Sequence, residues 1–211
     1  MIRSKKNNYA FVDASNLFYG GVKSLGWKID YEKLIKYVKK EYSVKKVYYY
    51  GGIEMAGLAH PEPLLGSVDL SKLLRHVNKR VRTERLSQIK LMDLVNLRGK
   101  IKFYSKLEQF GYILRLKPVK TFWSSGHAEK KANCDVDMTL DMMRFKSEYK
   151  KLLILSGDGD FASVLKYLVD IGKSVWVLAR GERCAKEIKQ LVGGDFRDFV
   201  TLRSKLEYIE K

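Results

Sequence analysis

The sequence predicts an α/β fold: a central, mostly parallel sheet flanked by helices. Three observations predict it. Short apolar runs alternate with segments of helical period, the runs are too continuous for half-exposed strands, and glycines close the helical segments. The first run, Tyr9-Ala10-Phe11-Val12, ends in Asp13 and suits the buried centre of a parallel sheet. A helix is expected after it. Residues 29–42 carry Leu34, Ile35, Tyr37 and Val38 at a period near 3.6, with Asp30 placed to cap the helix start. Val47-Tyr48-Tyr49-Tyr50 reads as a second strand stopped by Gly51-Gly52, so the opening is β-α-β.

Over residues 68–97, Leu70, Leu73, Leu74, Val77, Val81, Ile89, Met92 and Leu97 sustain one long helical stripe, and a separate short helix is expected at 101–110, closed by Gly111. The opposite face is basic: positions 60–120 hold 14 Lys and Arg against 5 Asp and Glu. Residues 112–116 read as a third strand halted by Pro118, 124–133 as a loop, and 135–149 as a helix. A strand at 151–155, a helix at 161–171, a strand at 175–179 and a helix at 184–192 complete the alternation, which calls for right-handed crossovers. No repeat or low-complexity linker interrupts it. The expected organisation is one domain over 1–211, with a helical insertion at about 60–100 and a C-terminal extension at about 193–211.

With 211 residues, 45% hydrophobic, the chain can bury a core without bridges or structural metal. Forty-one Lys and Arg against 24 Asp and Glu give a net charge of +17, a field that holds a polyanion and points to nucleic acid as partner. Residues 1–8 are polar and basic, and no apolar run approaches the roughly 20 residues of a membrane span, so a cytoplasmic location is expected. Cys134 and Cys184 lack metal-ligand spacing and read as reduced thiols, while His60, His76 and His127 are scattered. GxxxxGK, a GxGxxG after the first strand, and GxSxG are absent, which argues against NTPase, dinucleotide and serine-hydrolase chemistry.

In open α/β sheets the functional crevice lies beyond the carboxyl ends of the strands. Asp13 ends the first strand and Ser156-Gly157-Asp158-Gly159-Asp160 follows the run at 151–155, so neighbouring strands would put three carboxylates on one rim. Asp160 is placed to cap the helix at 161. At about 100° per residue Asp137 and Asp141 share one helix face and Asp135 takes another. Asp135 is then oriented by the helix start, Asp137 is solvated, and Asp141 packs beneath the site as a supporting acceptor. Taken singly, Asp13 could be a strand-end cap, the glycine-aspartate string a turn, and the basic stripe a solvated face. Jointly they describe clustered carboxylates that repel unless protonated or bridged by a hard cation, Mg²⁺ or Mn²⁺, which could activate a water against a phosphodiester.

Phe11-Val12-Asp13-Ala14-Ser15-Asn16, then Asn133-Cys134-Asp135-Val136-Asp137 with Asp141, then Leu155-Ser156-Gly157-Asp158-Gly159-Asp160-Phe161 resemble, in order and spacing, the NYN domain of the PIN-like superfamily and in particular its bacterial LabA-like branch. The likeness runs from about residue 8 to 180. It implies a PIN-like three-layer fold with an acidic Mg²⁺ or Mn²⁺ centre for phosphodiester cleavage, mostly of RNA. By that likeness Asp13, Asp135, Asp158 and Asp160 hold the metal, Asn16 is a polar helper, and Asp141 matches a recurring acid, with Ser156 beside it in a supporting role. One departure is the Asn133-Cys134 pair, where relatives often carry Gly before the first acid of this helix.

The expected protein is a metal-dependent ribonuclease acting through a metal-activated water. Single-stranded RNA would be held by Lys130, Lys131 and Arg180, and by Arg75, Lys79 and Arg82 of the basic helix. DNA stays open as a second polymer, and a homodimer as a use for the apolar stripe. The alternatives are a non-catalytic nucleic-acid-binding module with a retained acidic pocket, and a metal-dependent phosphatase of small phosphates, against which the +17 charge speaks.

Overall fold

Alternating burial along the first strand sets the layers. In the computed structural model, which describes residues 7–20, 26–59, 68–124 and 127–210, Ala10 and Val12 face one core and Tyr9 and Phe11 the other. The strands are β1 (Asn7–Asp13), β2 (Val44–Ile53), β3 (Ile113–Pro118), β4 (Lys120–Ser124), β5 (His127–Lys131), β6 (Tyr149–Leu155), β7 (Ser174–Ala179) and β8 (Phe196–Asp198). The helices are α1 (Ala14–Gly20), α2 (Tyr31–Glu41), α3 (Leu70–Thr83), α4 (Gln88–Phe110), α5 (Asp135–Arg144), α6 (Ala162–Asp170), α7 (Lys186–Val192) and α8 (Arg203–Leu206).

Six strands form a sheet in the order β3-β2-β1-β6-β7-β8, every pair parallel. The α2, α3 and α4 helices cover the face that holds Ala10 and Val12, burying Leu34, Ile35, Leu73, Val77, Ile101 and Leu107. On the other face α5, α6 and α7 bury Met138, Met142, Leu165 and Ile188 against Phe11, Tyr48 and Ile154. Phe11 stacks on Tyr48 with ring centroids 5.4 Å apart. The strand order reverses between β1 and β6, where Val12 lies opposite Leu155, so Asp13 and Ser156 leave the sheet side by side. Such a switch point opens a crevice at the carboxyl ends. Beyond residue 193 the chain adds β8 to the sheet edge and packs Phe199, Leu202 and Leu206 into the core. Among the described residues no helix is long and apolar enough to cross a membrane.

Three expectations from the sequence need correction. The stripe at 68–97 is not one helix. The chain is extended at Glu84 (φ −97°, ψ 141°), and Ser87, whose hydroxyl accepts from the Lys90 amide at 3.4 Å, starts a second helix that runs on through position 101 to Gly111. Both helices pack on the same core, but of the expected stripe Ile89 and Met92 stay exposed, at 75% and 60%, while α4 buries Leu94 and Leu97; Gly99 stays helical inside α4. The segment 124–133 is not all loop: β4 and β5 form an antiparallel ribbon with Lys120 opposite Lys131. His127-Ala128-Glu129-Lys130-Lys131 shows no apolar alternation, the signal by which strands are read. Finally, α5 stops at Arg144 rather than 149. Phe145 and Tyr149 continue the helical period but are drawn into the aromatic cluster, Phe145 onto Tyr48 at 5.2 Å and Tyr149 onto Tyr9 at 5.7 Å.

The α3 helix is held by fully buried side chains, so Leu73→Ala should lower the unfolding free energy by about 2–5 kcal/mol in a urea titration. A loss below about 1 kcal/mol would mean that the helix pair is not integral to the core.

Candidate metal centre

Asp13 leaves β1 buried and fixed by four donors. Its Oδ1 accepts from the Ser15 amide (3.0 Å), the Ser15 hydroxyl (2.7 Å) and the Asn16 amide (3.2 Å), and its Oδ2 from the Ser156 hydroxyl (3.1 Å). Ser156 is fully buried and also accepts from the Asp158 amide at 3.3 Å. Asn16 Oδ1 accepts from the Gly157 amide at 3.1 Å, tying the β1 and β6 loops together. Gly157 is required here, since a Cβ at that position would come within 2.8 Å of the Cys184 backbone. Asp158, not Asp160, caps the turn into α6 by accepting from the Asp160 amide at 3.1 Å; the tight 3-10 turn over Gly159–Phe161 places Asp158 ahead of the first free amide. The Asp160 carboxylate is thereby left exposed.

At the start of α5, Asn133 Oδ1 accepts from the Asp135 amide at 2.8 Å and orients the first acid. Asp135, Asp158 and Asp160 each bring a carboxylate oxygen within 4.8 Å of the others. Asp13 stands outside that mutual set but next to it: among the neighbouring charges, Asp13 acts most strongly on Asp135, ahead of Asp158 and Asp160. Burial, followed by these three carboxylates, holds the Asp135 carboxyl above its ordinary value. Burial also pushes the neighbouring Cys134 thiol up to about 12, which leaves it protonated and a poor ligand. The donors of the cluster are hard oxygens. The longest separation between ligands of an octahedral Mg²⁺, with bonds of about 2.1 Å, is roughly 4.2 Å. A spread bounded by 4.8 Å needs only small side-chain rotations, so these residues fit such an ion.

The remaining residues singled out from sequence fall in several places. Asp137 and Asp141 do share the α5 face opposite Asp135, but Asp137 is not simply solvated: Lys117 of β3 binds it at 2.6 Å and also donates to the Asn133 carbonyl at 3.0 Å. Buried Asp141 accepts from Tyr50 (3.0 Å), Arg115 (2.8 Å) and Arg144 (3.4 Å), pinning α5 to β2 and β3. Arg75, Lys79 and Arg82 line the solvent face of α3. Arg180 follows β7 on the carboxyl rim, bonds Glu182 at 2.7 Å, and keeps Nε and Nη1 buried with no partner among the described residues. Lys130 and Lys131 lie in β5, and their side chains are outside the described residues, as is His60. His76 is structural, bonded to the Ala56 carbonyl at 2.9 Å. Sequence reasoning missed Glu187 at the start of α7: a Cβ on Gly159 would meet its carboxylate at 2.9 Å, so Glu187 borders the centre. Its one signal was its position in a loop and helix following a strand's carboxyl end.

A parallel α/β fold with three carboxylates gathered at its switch point defines the class. The chain belongs to the NYN domain family, whose profile matches residues 9–193. It is similar to the Low amplitude and bright protein LabA of Synechococcus elongatus, 22% identical over 206 residues that cover 95% of this chain and 88% of LabA. The crystal structure of a protein of unknown function from Vibrio parahaemolyticus shares the fold, with a TM-score of 0.57 and 18% identity, over 92% of this chain and 93% of that one.

Because the folded-state pKa of Asp135 is raised, its ionised form costs stability above that pKa, and the cost vanishes as pH falls through it and below the ordinary 3.8. Asp135→Asn should therefore melt higher than the parent at pH 7 in EDTA, with the gain fading toward about pH 4. A lower melting temperature for the variant at pH 7 would show that the carboxylate is a net structural acceptor.

Proposed function

We propose that the protein is a divalent-metal-dependent ribonuclease. The observation that carries this reading is the meeting of Asp135, Asp158 and Asp160 at the switch point of a chain with a net charge of +17. A bound Mg²⁺ or Mn²⁺ supplies charge neutralisation of the phosphodiester and a water acidified toward neutral pH. Asp135, Asp158 and Asp160 hold that cation. Asp13 has one acceptor position left on Oδ2, enough to orient a water, while Ser15, Asn16 and Ser156 keep its carboxylate from rotating. Asn16 keeps the glycine turn closed, and Asp141 holds the α5 helix so that Asp135 stays aimed inward. In-line attack by the water oxygen would form a P–O bond as the P–O3′ bond breaks; the proton the water gives up passes to solvent and the 3′ oxygen takes one back from solvent, leaving a 3′ hydroxyl and a 5′ phosphate.

The substrate is drawn by the exposed cations Arg75, Lys79 and Arg82 on α3, together with Lys130 and Lys131 in the β4-β5 ribbon and Arg180, which is half-sunk at the rim and keeps two guanidinium nitrogens buried. RNA, single-stranded, is the polymer this reading assigns, with the cytoplasm as its compartment. The test is incubation of the purified chain with end-labelled single-stranded RNA and DNA in Mg²⁺, Mn²⁺ or EDTA. Products are expected in the RNA lanes that contain metal and in no others. Asp158→Asn should reduce them to background while RNA binding persists or tightens, since a negative charge is removed. Retarded bands without products in every metal would contradict the proposal and identify a binding module; release of phosphate from mononucleotides alone would identify a phosphatase.

A further inference from the structure

Beside the acidic centre lies a second feature that cleavage chemistry does not use. A cavity of about 950 Å³, at the upper end of the roughly 300–1,000 Å³ of ligand pockets, opens between α2, α4 and the end of β2. Its wall is aromatic: Tyr31, Phe103, Tyr104 and Phe110. Phe103 meets Tyr31 edge-on at 5.1 Å and Tyr104 at 5.6 Å, yet keeps 37% of its surface exposed. An aromatic ring held rigidly on two sides and left open on a third is a stacking surface.

The cavity is continuous with the acidic centre. Ser15, which bonds Asp13, and Cys134, which precedes Asp135, both line it. Its charged lining holds three lysines against two carboxylates. Lys28, Lys100 and Lys106 stand on it, while the two carboxylates there are engaged, Asp30 in capping α2 and Glu32 in binding Lys36 at 2.6 Å. Lys28 and Lys100 are paired at the surface with Glu210 and Glu54, contacts that an incoming phosphate can displace. Lys106 lies over the Phe110 ring at 5.3 Å.

We infer that this cavity seats an unstacked base of the single-stranded nucleic acid whose backbone crosses the acidic centre, with Phe103 as the stacking face and Lys106 on a neighbouring phosphate. The inference rests on the nucleic-acid reading above and names where the chain is gripped. Aromatic stacking joined to a cationic rim is the recognition mode of single strands, because a duplex hides its base faces. An apolar peptide has no use for the lysines, and an acidic one none for the exposed ring.

The test reads binding without turnover: fluorescence anisotropy of a short labelled oligoadenylate RNA with the full chain in EDTA. Phe103→Ala should bind roughly tenfold more weakly, and Phe103→Trp should keep the parental affinity. Lys106→Gln should reduce the slope of log affinity against log salt by about 0.7, the release of one phosphate contact on a single strand. On an RNA of the same length that is abasic throughout, the parent and Phe103→Ala should bind alike. Equal affinity of parent and Phe103→Ala for the oligoadenylate would overturn the proposal, as would an equal loss on the abasic RNA. Since no metal is present, loss of the Phe103 effect counts against the cavity alone, whereas missing cleavage in the metal lanes counts against the nuclease reading alone.

Discussion

Like-charge repulsion at the mouth of a parallel sheet is the constraint around which the rest of the molecule is arranged. Two unit charges about 5 Å apart interact by roughly 3 kcal/mol at an effective dielectric of about 20, and hydrogen bonds to charged groups contribute about 1.5–3 kcal/mol each. The centre answers two of the carboxylates with donors and orients a third through its backbone. Asp13 takes two amides and two hydroxyls, Asp158 takes the Asp160 amide, and Asp135 is oriented through Asn133. Burial and three neighbouring carboxylates still hold Asp135 above its ordinary pKa, so the apo centre retains an electrostatic cost that a divalent cation would relieve.

The scaffold makes that cost tolerable by fixing the elements that carry the acids. Lys117 and Arg115 of β3 reach across to Asp137 and Asp141, so α5 is clamped by two ion pairs on the face turned away from the centre. Tyr50 donates to the same Asp141 from β2. On the β6 side, Gly157 brings the turn against Cys184, and its carbonyl accepts from the Ala185 amide at 2.9 Å, which ties the aspartate loop to the start of α7. These contacts are local, short in reach and distributed over both sides of the switch point.

Much of this was legible in the chain. The unbroken run at Tyr9-Ala10-Phe11-Val12 could only be a strand buried on both faces, and Asp13 at its end had to emerge at a rim. Helical spacing separated Asp135 from Asp137 and Asp141, and the structure puts them on different faces of α5. What escaped the sequence depended on contacts made across long separations. The break between α3 and α4 is masked because apolar residues continue at helical spacing across it, although Ile89 and Met92 end exposed and only Leu94 and Leu97 turn to the shared core. The β4-β5 ribbon lacks alternation, and the early end of α5 is decided by rings from Tyr9 and Tyr48 that no local window contains. Whether Asp158 or Asp160 caps the turn is settled by a hydroxyl from Ser156 and the geometry of one 3-10 turn.

The most direct test is a crystal of the protein grown with Mn²⁺ and measured at the manganese absorption edge. The account places an anomalous peak between the carboxylates of Asp135, Asp158 and Asp160, with oxygen distances near 2.2 Å. A structure at saturating Mn²⁺ with no such peak, and with these three side chains turned toward separate solvent, would contradict it.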